Sequence, residues 1–166
     1  MSPLGGITEA SDGENLVGLW FDGQDHFAYS LNADHEEKPL QIFDLTDRWL
    51  DVYFGGSAPD FTPPLLIRAT PFRKEVYRIL QTVPYGCTTT YGKLAKAVAG
   101  SLGFERTSAR AVGNAVGHNP ISLIIPCHRV VGSDGSLTGY AGGLDRKRRL
   151  LETERSLTNA PDNMTL

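Results

Sequence analysis

The sequence predicts an α+β fold in two parts. A small sheet with one helix is expected over residues 1–67, and a mostly helical part with a winged helix-turn-helix-like arrangement over 68–156. Three observations predict it. Short apolar stretches broken by Asp-Gly pairs fill the first 31 residues. A proline-bearing stretch at 57–68 divides the chain. Beyond it, apolar residues recur at helical spacing behind good capping residues.

In the first part, Ile7, Leu16, Val17, Leu19, Phe21 and Phe27 are separated by Asp12-Gly13 and Asp22-Gly23. Such pairs supply the positive φ that tight hairpin turns require, so short strands are expected. A polar loop over 32–39 ends at Pro39. Leu40, Phe43, Trp49, Leu50 and Tyr53 then follow a helical period, which Gly55-Gly56 stops. Residues 57–68 hold Pro59, Pro63 and Pro64 and read as an extended crossing.

Thr70-Pro71 opens the second part as N-cap and first helical residue. Phe72, Val76, Ile79 and Leu80 share one helix face, and Pro84-Tyr85-Gly86 ends that helix. Thr90 can cap a helix over 91–98, with a loop at 100–103, and Ser108 can cap another over 109–117. Two short helices around a glycine-containing turn suggest helix-turn-helix, in a variant form because the turn is long. Leu123, Ile124 and Ile125 form an apolar run leading into Pro126-Cys127-His128-Arg129. After the turn at 132–135 and the glycine-rich 139–143, a last helix is expected over 144–155, with Leu144, Leu151 and Arg155 on one side. Residues 157–166 read as a tail.

Charge divides the chain as the prolines do. Residues 1–67 carry a net −10 and residues 68–166 a net +7, giving −3 overall. An acidic half joined to a basic half suggests that only the second half meets a polyanion. No apolar run is long enough to span a bilayer, and the first nine residues lack the basic-then-apolar pattern of a secretory signal, so a cytoplasmic location is expected. The two cysteines, Cys87 and Cys127, are not spaced for a metal site, and none is expected.

Cys127 is the candidate nucleophile. A free thiol is mostly protonated at neutral pH and needs a base. His128 adjoins it, and the last helix offers Glu152 and Glu154 as partners for an imidazole. Cys87 reads as a bystander. Arg146-Lys147-Arg148-Arg149 reads either as a solvated helix face or as a phosphate contact. His26 and His35 lie in polar loops and receive no role, and His118 sits near a helix end.

The stretch from Asn119 through Pro126-Cys127-His128-Arg129 to Gly132 closely resembles the active-site segment of the O6-alkylguanine-DNA alkyltransferases, or methylated-DNA–protein-cysteine methyltransferases. The resemblance extends back through Tyr91-Gly92-Lys93-Leu94-Ala95 and Ser108-Ala109-Arg110-Ala111-Val112-Gly113. It extends forward through Thr138-Gly139-Tyr140-Ala141-Gly142-Gly143-Leu144 to Glu154, covering residues 70–155.

What the resemblance implies is specific. The first part would be a ribonuclease-H-like α/β subdomain with a linker. The chain would be a single-turnover methyltransferase that moves an alkyl group from O6-alkylguanine, or O4-alkylthymine, in DNA to its own Cys127, without a cofactor. His128 would take the thiol proton through a bound water, Glu154 would orient His128, and Asn119 would brace the turn. Tyr91, at the pocket mouth, would donate to the leaving base. Tyr140, Val130, Ala141 and Gly142 would form the base pocket. Ser108, Ala109, Arg110 and Gly113 would face double-stranded DNA in its minor groove, with Arg110 filling the gap left by a flipped nucleotide. A monomer that clusters on DNA, located with the nucleoid, is the expected state. Ser122 and Ala141 stand where some relatives have proline and serine. The alternatives are a non-catalytic sensor of alkylated DNA, and a thiol hydrolase that turns over a small acyl substrate.

Overall fold

A computed structural model describes residues 2–158. Most of the expected tail at 157–166 therefore lies outside the described residues. Two strands come first, β1 (Ile7–Ser11) and β2 (Leu16–Phe21), paired antiparallel with Ile7 opposite Phe21. Asp12 makes the turn between them: its carboxylate accepts from the backbone N–H of Glu14 and of Asn15, at 3.1 and 2.8 Å.

The second Asp-Gly pair does not start a third strand. Residues 22–31 form consecutive turns, and Phe27 is exposed. The far edge of β2 is already occupied, which explains the outcome. Leu16 pairs with the 64–66 crossing, and Leu19 pairs with Pro120 and Ser122. Backbone donors and acceptors must be satisfied when buried, and here the crossing and the segment before Cys127 do that work.

Helix α1 (Gln41–Phe54) buries Ile42, Thr46, Trp49, Leu50 and Tyr53, one stripe at helical spacing. Helix α2 (Pro71–Leu80) starts as expected, with the Thr70 side chain accepting from the Arg73 N–H. A cap of this kind stabilises a helix by ~1 kcal/mol. Tyr77 is fully buried on the inner face beside Val76 and Leu80. The two-residue β3 (Thr89–Thr90) pairs in parallel with β4 (Val130–Val131).

Helix α3 (Tyr91–Leu102) runs past the expected end at 98 and includes Gly100. The stop comes at Gly103, whose φ of +68° suits a C-terminal cap, while the Phe104 N–H reaches back to the Ala99 carbonyl at 2.8 Å. Helix α4 (Ala109–Gly117) is capped by Ser108, which accepts from the Ala111 N–H. Helices α2, α3 and α4 pack on one another, and the 103–108 turn makes the helix-turn-helix a long-turned variant.

Helix α5 (Leu144–Thr158) ends the described chain. Its buried side is Lys147, Leu150, Leu151 and Glu154, whereas Leu144 is exposed. The expected face is thus rotated: Leu144 gives way to two charged residues, which a purely apolar reading excludes. One continuous apolar core runs through both halves, from Leu16 and Tyr53 to Val112, Ile125 and Leu150. Among the described residues no helix is long and apolar enough to cross a membrane.

Candidate active site

The reactive segment is a buried turn, not a strand. Residues 119–126 fold back on themselves: the Ile125 N–H bonds the Ile121 carbonyl at 3.1 Å, and Leu123 takes a left-handed φ of +69°. That conformation costs a non-glycine residue of order 1–3 kcal/mol and persists only when its surroundings fix it. Here they do. The Ser122 N–H bonds Leu19 of β2, and its hydroxyl reaches Gln24 at 3.2 Å.

Asn119 organises the turn from inside. Its Oδ1 accepts from the Ile121 N–H at 3.0 Å. Its Nδ2 donates to the Ile125 carbonyl at 2.8 Å and to Cys127 Sγ at 3.1 Å. A single 3-10 turn, Cys127–Arg129, then places Cys127, His128 and Arg129 out of solvent. Burial pushes the Cys127 thiol up, and the Asn119 donor and the Lys147 charge only partly oppose it. The resting sulfur is therefore a protonated thiol.

His128 Nε2 lies 2.7 Å from Glu154 Oε1, with both side chains fully buried. The Tyr53 hydroxyl donates to the same oxygen at 2.7 Å and lies 3.3 Å from Nε2. Arg129 approaches both carboxylate oxygens, Nε to Oε2 at 2.9 Å and a terminal nitrogen to Oε1 at 3.0 Å. The Gly86 N–H completes the set on Oε2 at 3.0 Å. Burial raises the Glu154 carboxyl, but His128 and Arg129 outweigh it and hold it well below the usual carboxylate range. Burial lowers His128, against a smaller opposing pull from Glu154, so the imidazole is neutral at pH 7.

These facts fix the tautomer. An ionised carboxylate only accepts, so Nε2 carries the ring proton. Nδ1 then holds the lone pair, and it is buried with no hydrogen-bond partner among the described residues. A neutral histidine with a free basic nitrogen, next to a protonated thiol, has the makings of a base–nucleophile pair. Of the two acids offered by α5, Glu154 is the partner and Glu152 is exposed.

A cavity of about 190 Å³ opens over Cys127, with Tyr91, Gly113, Tyr140 and Ala141 in its walls. The Tyr91 hydroxyl donates to the carbonyls of Thr138 and Gly139, at 3.2 and 3.4 Å. The Tyr140 hydroxyl is buried without a partner among the described residues. Gly142 leaves room for the Tyr140 ring: a Cβ there would sit 2.5 Å from its Cε1. The Val130 carbonyl accepts from Lys147 at 2.6 Å, and the Ala141 carbonyl from the Asp25 N–H at 2.9 Å. The Ser108 cap and Ala109 and Arg110 at the start of α4 are exposed.

Several working residues escape a reading of the sequence. Tyr53 looks like any member of an apolar helix face. Lys147 sits in a basic run, yet it is fully buried. Its ammonium donates to the carbonyls of Val130, Thr138 and Gly139, tying the cavity loop to β4. Arg146 donates to Leu4, Asp22 and Gly142 carbonyls and lies over the Phe21 ring. Neither the solvated-face nor the phosphate reading of that run holds for these two residues. At the surface Arg148 pairs with Asp145, and Arg149 donates to the Pro3 carbonyl at 3.3 Å. Arg129, directly after His128, was the available signal for a buried counter-charge. Cys87 is buried and free, outside the site. Among the described residues no cluster of three or more His, Cys, Asp or Glu could hold a metal.

Fold and site together define a protein built around one buried cysteine, backed by a histidine–carboxylate pair and set against a helical nucleic-acid-binding type of domain. Comparison with known proteins narrows this. Residues 71–156 match the family described as 6-O-methylguanine DNA methyltransferase, DNA binding domain. The methylated-DNA–protein-cysteine methyltransferase of Mycobacterium tuberculosis is 42% identical over 165 residues, covering 99% of this chain and 94% of the relative. That of Haemophilus influenzae is 38% identical, covering 93% and 83%. The crystal structure of M. tuberculosis OGT in complex with DNA superposes with a TM-score of 0.81 at 40% identity, covering 97% of this chain and 92% of that one. The chain belongs to the methylated-DNA–protein-cysteine methyltransferase family.

Proposed function

We propose that this protein repairs alkylated DNA by transferring the alkyl group of O6-alkylguanine, and of O4-alkylthymine, to Cys127, once per molecule. The observation that carries it is the wiring of Cys127. The thiol lines a cavity, and beside it stands a histidine whose one basic nitrogen has been left free by an ionised Glu154.

In this reading His128 Nδ1 takes the thiol proton, through one water. Sγ attacks the alkyl carbon in line, the S–C bond forms as the C–O6 bond breaks, and the electron pair stays on O6. Glu154 stabilises the imidazolium that results. The Asn119 Nδ2–H supports the developing thiolate. Tyr91 is the donor to the leaving base, after turning its hydroxyl from the Thr138 carbonyl, and such a donor offsets charge on the departing oxygen. A thioether has no ready leaving path, so the protein is consumed. No cofactor takes part.

DNA would be held by the basic half. The helix α4 presents small residues and Arg110 to the minor groove, and Arg110 would fill the stack while the damaged nucleotide occupies the cavity. Tyr140, Val130, Ala141 and Gly142 would hold the base. The two-part division, 1–67 and 68–156, assigns the chemistry and the DNA contact to the second part, with the first as its support. The protein would act as a monomer that clusters on DNA, in the cytoplasm with the nucleoid.

Intact-mass spectrometry on a duplex with one O6-methylguanine tests this. The expected result is a gain of one methylene mass, confined to the Cys127 peptide and saturating at one per chain. DNA binding with unchanged mass would instead establish a lesion sensor. Product in excess of protein from an acyl substrate would establish a hydrolase.

A further inference from the structure

Residues 22–31, between β2 and α1, have no part in the chemistry above, yet they are built into the cavity. Gln24 is buried, and its Oε1 accepts from the Phe21 N–H at 2.9 Å and from the Ser122 hydroxyl at 3.2 Å. The Asp25 N–H donates to the Ala141 carbonyl. The His26 ring stacks on His118, with centroids 4.1 Å apart and planes 24° from parallel. The Tyr29 hydroxyl donates to the His118 carbonyl at 2.8 Å. His26 and Ala28 hold φ of +58° and +51°, a conformation rare for residues with a Cβ. The segment is thus a strap, drawn from the N-terminal half to the C-terminal end of α4.

Asp25 and His26 lie in the same cavity lining as Cys127. The other walls are held by contacts of their own. Tyr140 is fitted against Gly142, the 138–139 carbonyls are held by the Lys147 ammonium, and α4 offers its own main chain at Gly113. The strap wall is different. Its grip on the end of α4 is the His26 stack, an edge-on contact of the Tyr29 ring with His118 and one hydroxyl, all made by exposed side chains of the strap.

We propose that the strap is the specificity-determining wall of the site: His26, held on His118, sets how large an alkyl group can be carried to Cys127. This rests on the alkyl-transfer reading. In this reading a methyl group reaches Cys127 with His26 in place. A bulkier group has to displace His26 from its stack, so the cost of breaking that contact falls on large adducts alone.

The test compares single-turnover transfer from two duplexes of identical sequence, one with O6-methylguanine and one with O6-benzylguanine. Because the same DNA is used, the benzyl-to-methyl rate ratio cancels any change in DNA binding. His26→Gly removes the ring and suits the left-handed backbone, and Tyr29→Phe loosens the hold on His118 without emptying the wall. The ratio is expected to rise at least about tenfold in His26→Gly, the scale on which pockets discriminate apolar size, and by a smaller factor in Tyr29→Phe. A ratio unchanged in both variants overturns the strap's role while leaving alkyl transfer standing. Both rates rising together also overturns it, since that marks the strap as a general barrier to access. Wild-type protein that gains no mass from either duplex overturns the transfer reading, and the strap's role with it.

Discussion

Tyr53 donates its hydroxyl to Glu154 at 2.7 Å, and the two residues are separated by 101 positions of chain. The first sits on α1 of the acidic half and the second on α5 of the basic half. The acid that polarises His128 is thereby held from both halves of the molecule, and its removal should be felt in chemistry and stability together.

Glu154→Gln keeps the shape and removes the charge. It leaves Arg129 buried without its counter-ion and releases the His128 tautomer. Breaking a buried pair from one side costs about 3–5 kcal/mol, and loss of the oriented base should slow transfer by ~10² or more. Urea melts and single-turnover rates check both. The wild type has a further pH signature. The Glu154 carboxyl is held below its ordinary 4.5 in the folded state, so the unfolded chain binds more protons in the window below 4.5. Its stabilisation is full above that pH and drains as pH falls toward the folded value. The variant should lack this part of the acid slope.

Glu9 has the opposite sign. On β1, with one oxygen buried and unpartnered among the described residues, it is raised to about 7 by burial and by the Asp47 charge. The folded state binds the extra proton here, so stability is full below 4.5 and lost as pH rises through 7. Glu9→Gln should therefore stabilise the protein at pH 8 by about 1 kcal/mol, a figure reduced for partial solvent screening. At pH 4.5 the two proteins should melt together. Thermal melts at both pH values decide it.

Gly142→Ala tests the fit of the cavity loop. The added Cβ meets the Tyr140 ring at 2.5 Å, so the ring has to shift. Tyr140 lines the cavity, so the shift alters the shape of the site. Transfer should fall at least about tenfold, while overpacking costs about 1–3 kcal/mol of stability. Full transfer with unchanged stability would show that the ring has room elsewhere.

Arg110→Ala separates DNA handling from chemistry. Arg110 is exposed on α4, so the melt should not shift. Transfer from duplex DNA should fall, with a weaker salt dependence, because one cation facing the polyanion is gone. Transfer from the free base O6-benzylguanine should be untouched. Loss on both substrates would instead place Arg110 in the cavity chemistry.

The helices were legible because their signals are local. Thr70, Thr90 and Ser108 each cap where the sequence indicates. The reading failed where distant chain decides. A third strand after Asp22-Gly23 never forms because Leu19 already pairs with the 120–122 segment. Lys147 and Arg146 look solvated by composition, and only tertiary carbonyls make their burial tolerable. Within the site, Cys127 and His128 were legible as a thiol beside a base, and the family resemblance chose Glu154 over Glu152. Tyr53, which helps to complete the carboxylate's partners, is ordinary in sequence and significant only by position.

The Glu154 carboxylate is met by Tyr53, Gly86, His128 and Arg129, which lie far apart along the chain. That geometry restricts how such a chain can change its length over evolution. An insertion between residues 54 and 85, or between 87 and 127, has to loop outward so that each donor returns to the same point. The exposed stretch at 32–39, which precedes Tyr53, lies outside that constraint, and there length is free to drift. Length variation along the family should therefore map the distance of each loop from one buried acid.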